Sequence, residues 1–308
     1  RSNGLNIGLA NEAVTFADFA GSVRFEEEGL QASAALAHYD PAKGTLHLSG
    51  SDAGGGPRVA DAEIEIAADA IDVTLDGHRM AAKGGIKTIL KSSGRKLPGL
   101  LQQGEAANVN ADALDYAESA GRAVYSGNAT LWQGETAIRA DVLTLDQSKA
   151  DLLASGAARS NIVLDAGVSI GRAAEIRYED AVRTITYGST PAAPAQLSGP
   201  PGDLRAGRIE VILGKTASKT ERLEAYTGVN VRLDTRVATG DRLTYNPEGD
   251  RYTMTGMPTV PVKVVEECRE TTGRTVTFFK TGERIIVDGN EEARTESKRG
   301  PTCTPAPR

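Results

Sequence analysis

The chain has 308 residues with a formal charge of −6, and is 40% hydrophobic but only 5% aromatic. It is long enough for a large core, and the composition predicts an interior of Val, Ile, Leu and Ala rather than of large rings. No Lys/Arg run exceeds two residues, which argues against a surface that tracks phosphates. No stretch approaches the roughly 20 apolar residues of a membrane-spanning helix.

Arg1 to Asn6 lacks the apolar core of a signal peptide, and repetition begins almost at once, so the sequence reads as a fragment of something longer. Ala13 to Phe25 alternates weakly. Leu30 to Ser49 predicts a strand, an Asp40-Pro41-Ala42-Lys43-Gly44 turn and a second strand, because Pro presets φ and Gly accepts the left-handed position. Gly50 to Gly56 is a predicted loop. Ile64 to Leu75 reads as two strands broken near Ala67 to Ala70, followed by an Asp76-Gly77 hairpin signal. The Gly- and Lys-rich stretch Lys83 to Gly104 reads as an inserted loop. Alternation is cleanest from Ala106 to Tyr187. Four prolines and two glycines in Thr190 to Gly202 predict a breaker that interrupts any strand. Strand patterning resumes at Leu204 and runs to Thr295, and beyond Glu296 a polar tail is expected. The predicted organisation is therefore 1–105 (degenerate repeats), 106–190 (clean repeats), 191–202 (loop), 203–295 (a second set) and 296–308 (tail).

The phrase that organises the chain is Ala111 to Asp146. It opens with Ala-Asp-x-Leu-x-Tyr, passes Gly127-Asn128, and closes on a second Ala-Asp-x-Leu-x-Leu. Short alternating runs broken by Gly, Asn and Asp are the pattern of half-buried strands joined by tight turns. Restatements end on Tyr39, Val73, Tyr116, Leu145, Tyr178, Val211, Tyr245 and Phe278, at spacings of 34, 43, 29, 33, 33, 34 and 33 residues. The one long interval contains the predicted insertion. A near-constant period of this size marks stacked supersecondary units, each of which buries its apolar face against its neighbours.

Chemistry-bearing constellations are sparse. His38, His47 and His78 have no metal-ligand spacing, although His38 and His47 could approach across the hairpin at Asp40 to Gly44. Gly214-Lys215-Thr216 lacks the upstream Gly of a phosphate loop, and Ile209 to Leu213 reads as a strand. The adjacent acids Glu27-Glu28 and Glu266-Glu267 would point to opposite faces of a strand. Asn128-Ala129-Thr130 fits a glycosylation sequon. No catalytic residue, metal or cofactor is expected.

Three segments carry a family resemblance. Ala111-Asp112-x-Leu114-x-Tyr116, Tyr125-Ser126-Gly127-Asn128-Ala129-x-Leu131-x-Gln133-Gly134 and Ile138-x-Ala140-Asp141-x-Leu143 resemble the OstA/LptA-type domain of the lipopolysaccharide transport system, and Gly240 to Pro258 resembles a second copy. The N-terminal third departs from the pattern and is either LptC-like or a diverged repeat. The resemblance implies an all-β fold, a β-jellyroll or open β-solenoid of stacked antiparallel V-shaped repeats with a period of about 33 residues. It also implies an apolar groove for acyl chains and a periplasmic bridge carrying lipopolysaccharide from the inner to the outer membrane. Expected partners are that lipid or a similar one, other β-jellyroll components joined edge to edge, and copies of the chain. Nucleic acid is not among them. Attachment to a membrane would come through partners or a missing N-terminal segment.

The predicted groove lining is Leu114, Tyr116, Tyr125, Leu131, Ile138, Leu143, Leu145, Ile176, Tyr178, Leu243, Tyr245 and Met254. The same residues would face inward in a structural solenoid, such as an adhesin scaffold with a filled core, and the pattern alone does not separate the two. Asp112, Asp141 and Asp241 are expected to be corner residues bonded to turn amides, and Trp132, out of phase with Leu131, to face outward. In the oxidising compartment that the resemblance implies, the two cysteines, Cys268 and Cys303, are expected to form a disulfide tethering the tail; two unpaired thiols are the alternative.

Overall fold

In the computed structural model of the chain, all residues are described except 28, 52–54, 76–78, 93–95, 118–119, 216–218, 235, 267–268, 281–284, 289–296 and 300–308. The fold is all-β: the described residues form 25 strands and no α-helix. No helix is long and apolar enough to cross a membrane. The chain divides into two compact units, the first made of Arg1–Gly156 with Glu179–Ala181, the second of Ala157–Tyr178 with Val182–Arg308.

The first unit holds β1 (Gly4–Ala10), β2 (Ala13–Glu27), β3 (Leu30–Asp40), β4 (Thr45–Ser49), β5 (Arg58–Ala60) and β6 (Ile64–Ala67). It continues with β7 (Ala70–Thr74), β8 (Arg79–Leu90), β9 (Ala107–Ala117), β10 (Arg122–Gln133) and β11 (Thr136–Asp146). Next come β12 (Asp151–Leu164) and β13 (Gly167–Glu179). The second unit holds β14 (Thr184–Gly188), β15 (Ala195–Gly199), β16 (Gly202–Ala206), β17 (Arg208–Leu213), β18 (Thr220–Leu233) and β19 (Arg236–Asn246). It ends with β20 (Arg251–Thr255), β21 (Val262–Glu266), β22 (Arg269–Gly273), β23 (Thr275–Phe279), β24 (Ile285–Asp288) and β25 (Ser297–Arg299).

The pairing is antiparallel, and its register explains the sequence period. In the first unit an unbroken cross-strand column runs Ile7, Ala17, Tyr39, Leu46, Val73, Met80, Tyr116, Ala123, Leu145. In the second the equivalent column runs Ile185, Val211, Leu223, Tyr245, Tyr252, Phe278. The anchors of the sequence phrase thus fall on alternate members of these columns. One period is one out-and-back pair of strands, so each turn of about 33 residues adds one layer.

Each layer has two arms, because the long strands are bent at a bulge or a strand pair replaces them. The second arm of the first unit has its own column: Phe25, Ala32, Val59, Ile66, Thr88, Val109, Leu131, Ile138. In the second unit Leu197, Leu204, Val231, Ala238, Val264 and Thr271 play this part. The bulge on β10 shows why the phrase contains Gly127-Asn128. Gly127 has φ +77°, and a Cβ there would lie 2.4 Å from Oδ2 of Asp112 on the neighbouring strand, so only glycine fits. Asn128 Nδ2 donates to the same oxygen at 3.2 Å. Asp112 is therefore a corner residue, but its partner is a side-chain amide rather than the expected turn N–H. Asp141 packs against Gly156 in the same way, whereas Asp241 lines a surface pocket with Gly228, Met257 and Val260.

Four expectations need correction. Lys83 to Leu90 is not loop but the second half of β8: its glycines, Gly84 (φ +78°) and Gly85 (φ +54°), make the bulge, and Ile86 and Leu90 turn inward beyond it. The expected breaker 191–202 contains β15, which pairs with β16 across Pro200-Pro201. Prolines at the turn sacrifice no ladder hydrogen bond, so the strand survives. Within the expected tail, Ser297–Arg299 pairs with Arg269–Thr271. Finally, the interior is mainly Val, Ile, Leu and Ala as expected, but it is not free of large rings: Tyr125, Tyr178, Tyr187, Tyr252 and Phe278 are among the largest fully buried side chains. A few rings at column positions supply this packing despite the low aromatic fraction.

Candidate functional site

The candidate site is the apolar interior between the arms of each unit. All twelve predicted lining residues face it and are 0–6% exposed, from Tyr125, Leu131, Ile176, Tyr178 and Met254 at one limit to Tyr116 at the other. Leu114, Tyr116, Tyr125, Leu131, Ile138, Leu143 and Leu145 belong to the first unit, Ile176, Tyr178, Leu243, Tyr245 and Met254 to the second. In each unit they are shielded from solvent. Trp132, next to Leu131, is half-buried on the opposite face.

The two interiors differ in polarity. In the first unit the buried Thr88 hydroxyl has no hydrogen-bond partner among the described residues. In the second, Tyr245 stacks on Tyr252 with ring centroids 4.5 Å apart, and Tyr252 on Phe278 at 5.3 Å. Their hydroxyls find acceptors at the rim: Tyr245 donates to Asp250 Oδ1 (2.8 Å) and Tyr252 to the Pro201 carbonyl (3.0 Å). Tyr187, wholly inside, shares a 3.0 Å bond with Ser160. Burial pushes the Tyr187 phenol up to about 12 and raises Tyr245 and Tyr252 as well, so all three stay neutral donors at physiological pH.

One end of the first unit is different. β1 pairs with β2 alone among the described strands, and Leu5, Ile7 and Leu9 on its inner face are 57, 47 and 70% exposed. The other unforeseen feature lies between β8 and β9. There Leu97, Leu100 and Leu101 are buried, Lys96 pairs with Asp180, and Gly99 N donates to Asp180 Oδ1 at 3.2 Å. The run Leu97-Pro98-Gly99-Leu100-Leu101 was a usable signal, hidden by its Gly- and Lys-rich flanks.

His38 and His47 do meet directly across β3 and β4. Each ring is engaged outward instead, His38 Nδ1 with Asp18 and His47 Nδ1 with Asp72, both at 2.6 Å. No three His, Cys, Asp or Glu side chains converge as metal ligands among the described residues. His78, Cys268 and Cys303 lie outside the described residues.

Residues 108–187 match the family model described as LptA/(LptD N-terminal domain) LPS transport protein. No curated protein matches the chain. Among solved structures it is similar to LptH, the LptA-homologous periplasmic component of the conserved lipopolysaccharide transport device from Pseudomonas aeruginosa. The identity is 14%, over 63% of this chain and 95% of that one, with a TM-score of 0.19.

Proposed function

We propose, from the match of residues 108–187 to the LptA/LptD N-terminal family model, that the chain is a non-enzymatic periplasmic carrier that takes lipopolysaccharide acyl chains between its arms and passes them from the inner toward the outer membrane. The observation that carries this reading is the pair of continuous inward columns, one per arm, which together offer an apolar surface several layers long. Each methylene transferred from water to such a surface is worth about 0.8 kcal/mol. Because apolar contact has little directional preference, a chain bound there could slide. The edge of β1, with Leu5, Ile7 and Leu9 beside it, is the proposed junction to another β-jellyroll or to a second copy, since an unpaired strand edge templates pairing.

A photo-crosslinking residue at Leu131, compared with one at Trp132 on the opposite face, tests the reading. Adducts with labelled lipopolysaccharide at 131 and none at 132 are expected, and equal labelling at both overturns it. The second reading, a scaffold with a filled core, is favoured by the near-complete burial of the lining residues. It predicts no adduct at either position.

A further inference from the structure

Resting on the carrier reading, we infer that residues 96–105 are a displaceable strap, and that an acyl chain binds in the place its leucines now occupy. β8 ends at Leu90 in the arm that also carries Gln133, where Lys91 is tied to the Asp61 and Glu63 carbonyls at 2.6 and 2.8 Å. From there the chain reaches Asp180 on the other arm. Lys96 pairs with that carboxylate, Gly99 N donates to it, and its own backbone N–H donates to Asp151 Oδ1 at 2.8 Å. The chain then returns to its arm of origin. Gln102 N donates to Gln133 Oε1 at 2.6 Å, and Gln133 Nε2 donates to the Gln102 and Glu105 carbonyls at 3.0 and 3.1 Å. A segment fastened to both arms bridges them, and Leu97, Leu100 and Leu101 on it are buried.

The fastenings differ in kind. The return leg is held by three bonds to one buried side chain, Gln133. At the far anchor the Asp180 carboxylate is 9% exposed and also takes the Gly99 N–H, but its cation, Lys96, is 66% exposed, and an ion pair with one partner in water holds weakly. The strap is therefore built to release at Asp180 and swing on Gln133. Its leucines offer the interior the same branched methylene surface that an acyl chain offers, so the two compete for one place. Lys96, once free, is positioned to pair with an anionic headgroup.

The test uses the full chain with Cys268 and Cys303 replaced by Ser and the pair Gly99→Cys/Asp180→Cys added. Uptake of dansyl-undecanoic acid is followed by fluorescence with the pair oxidised and then reduced, so that each molecule is its own folding control. Oxidation should slow uptake by about tenfold or more and reduction restore it, as expected when binding waits on a conformational release. Leu100→Ser, which weakens the internal competitor, should bind the probe more tightly than the parent. Probe binding that ignores both the lock and Leu100→Ser overturns the strap and leaves the carrier reading intact. No probe binding in the parent, the reduced pair or Leu100→Ser overturns both.

Discussion

The first unit carries one column of side chains through two environments. At its edge, Ile7 on β1 is 47% exposed; at its inner end, Leu145 on β11 is 5% exposed, in the same register and with similar hydrophobicity. What separates them is the number of neighbouring strands. An apolar residue in a stacked architecture is buried by the layers on both sides of it, and a terminal layer has only one. Among the described strands, β1 is therefore covered on one side only.

The sharpest way to break the comparison is to put the same charge at both places. Leu143→Asp inserts a carboxylate where the parent side chain is 1% exposed, and should cost roughly 3 to 5 kcal/mol in urea unfolding, because the charge has neither water nor a cation. Leu9→Asp on β1 should lie within about 0.5 kcal/mol of the parent. If Leu143→Asp instead spared stability and abolished only lipid uptake, the inner layers would be open to water and the contrast would vanish.

That contrast was only half legible beforehand. The layer period was readable because anchors such as Tyr39, Val73, Tyr116 and Leu145 recur at one place in the register, on every second strand of a column. Breaks in the pattern were misread where one residue type has two uses. Gly84 and Gly85 looked like loop and are a bulge inside β8, and Pro200-Pro201 looked like a breaker and is the turn of a hairpin. The lining residues were readable from alternation, but whether they border space or one another depends on what lies across the interior. For the strap that information was out of reach: Lys96 meets a carboxylate 84 residues away, and no local pattern encodes such a contact.

Backbone strain sharpens the same comparison. Gly127 on β10 and Gly21 on β2 both have φ +77°, at bulges in an inner and an outer layer. An alanine Cβ at 127 would lie 2.4 Å from Asp112, held in the middle of β9, whereas at 21 it would meet the Asn3 side chain at 2.9 Å, next to the chain end and able to yield. Gly127→Ala should cost about 2 to 3 kcal/mol, and Gly21→Ala nearer 1 kcal/mol, the cost of the left-handed conformation alone. Equal losses in paired urea titrations would mean that the outer layer is as tightly held as the inner one. If the β1 edge is the proposed junction, Ile7→Lys should act on association with little effect on folding. Sedimentation at rising concentration should show the parent growing into larger species and the variant not, with midpoints of unfolding that agree within about 0.5 kcal/mol.

The smallest expected effect compares two turns of the same design, Asp40-Pro41-Ala42-Lys43 near the edge and Asp146-Gln147-Ser148-Lys149 after β11. At the inner turn Ser148 Oγ donates to Asp146 Oδ1 at 2.6 Å, and Lys149 N donates to the same oxygen at 3.2 Å. The Ser148 bond is the main reason the Asp146 carboxyl is held below its usual value. At the outer turn Asp40 is lowered chiefly by Lys43. A carboxylate with a depressed folded-state pKa adds stability above the unfolded pKa of about 4, and that stability fades as pH falls through the folded value. Ser148→Ala should therefore lower stability at pH 7 by about 0.5 kcal/mol, since the bond is partly solvated, and the gap to the parent should close as the pH falls through the depressed folded-state value of Asp146. The outer turn depends on an exposed ammonium, so its contribution should shrink in roughly 1 M salt, where screening acts within about 3 Å, while that of Ser148 should persist. If the Ser148→Ala gap kept its size in acid, the hydroxyl would be stabilising the backbone turn rather than the charge on Asp146.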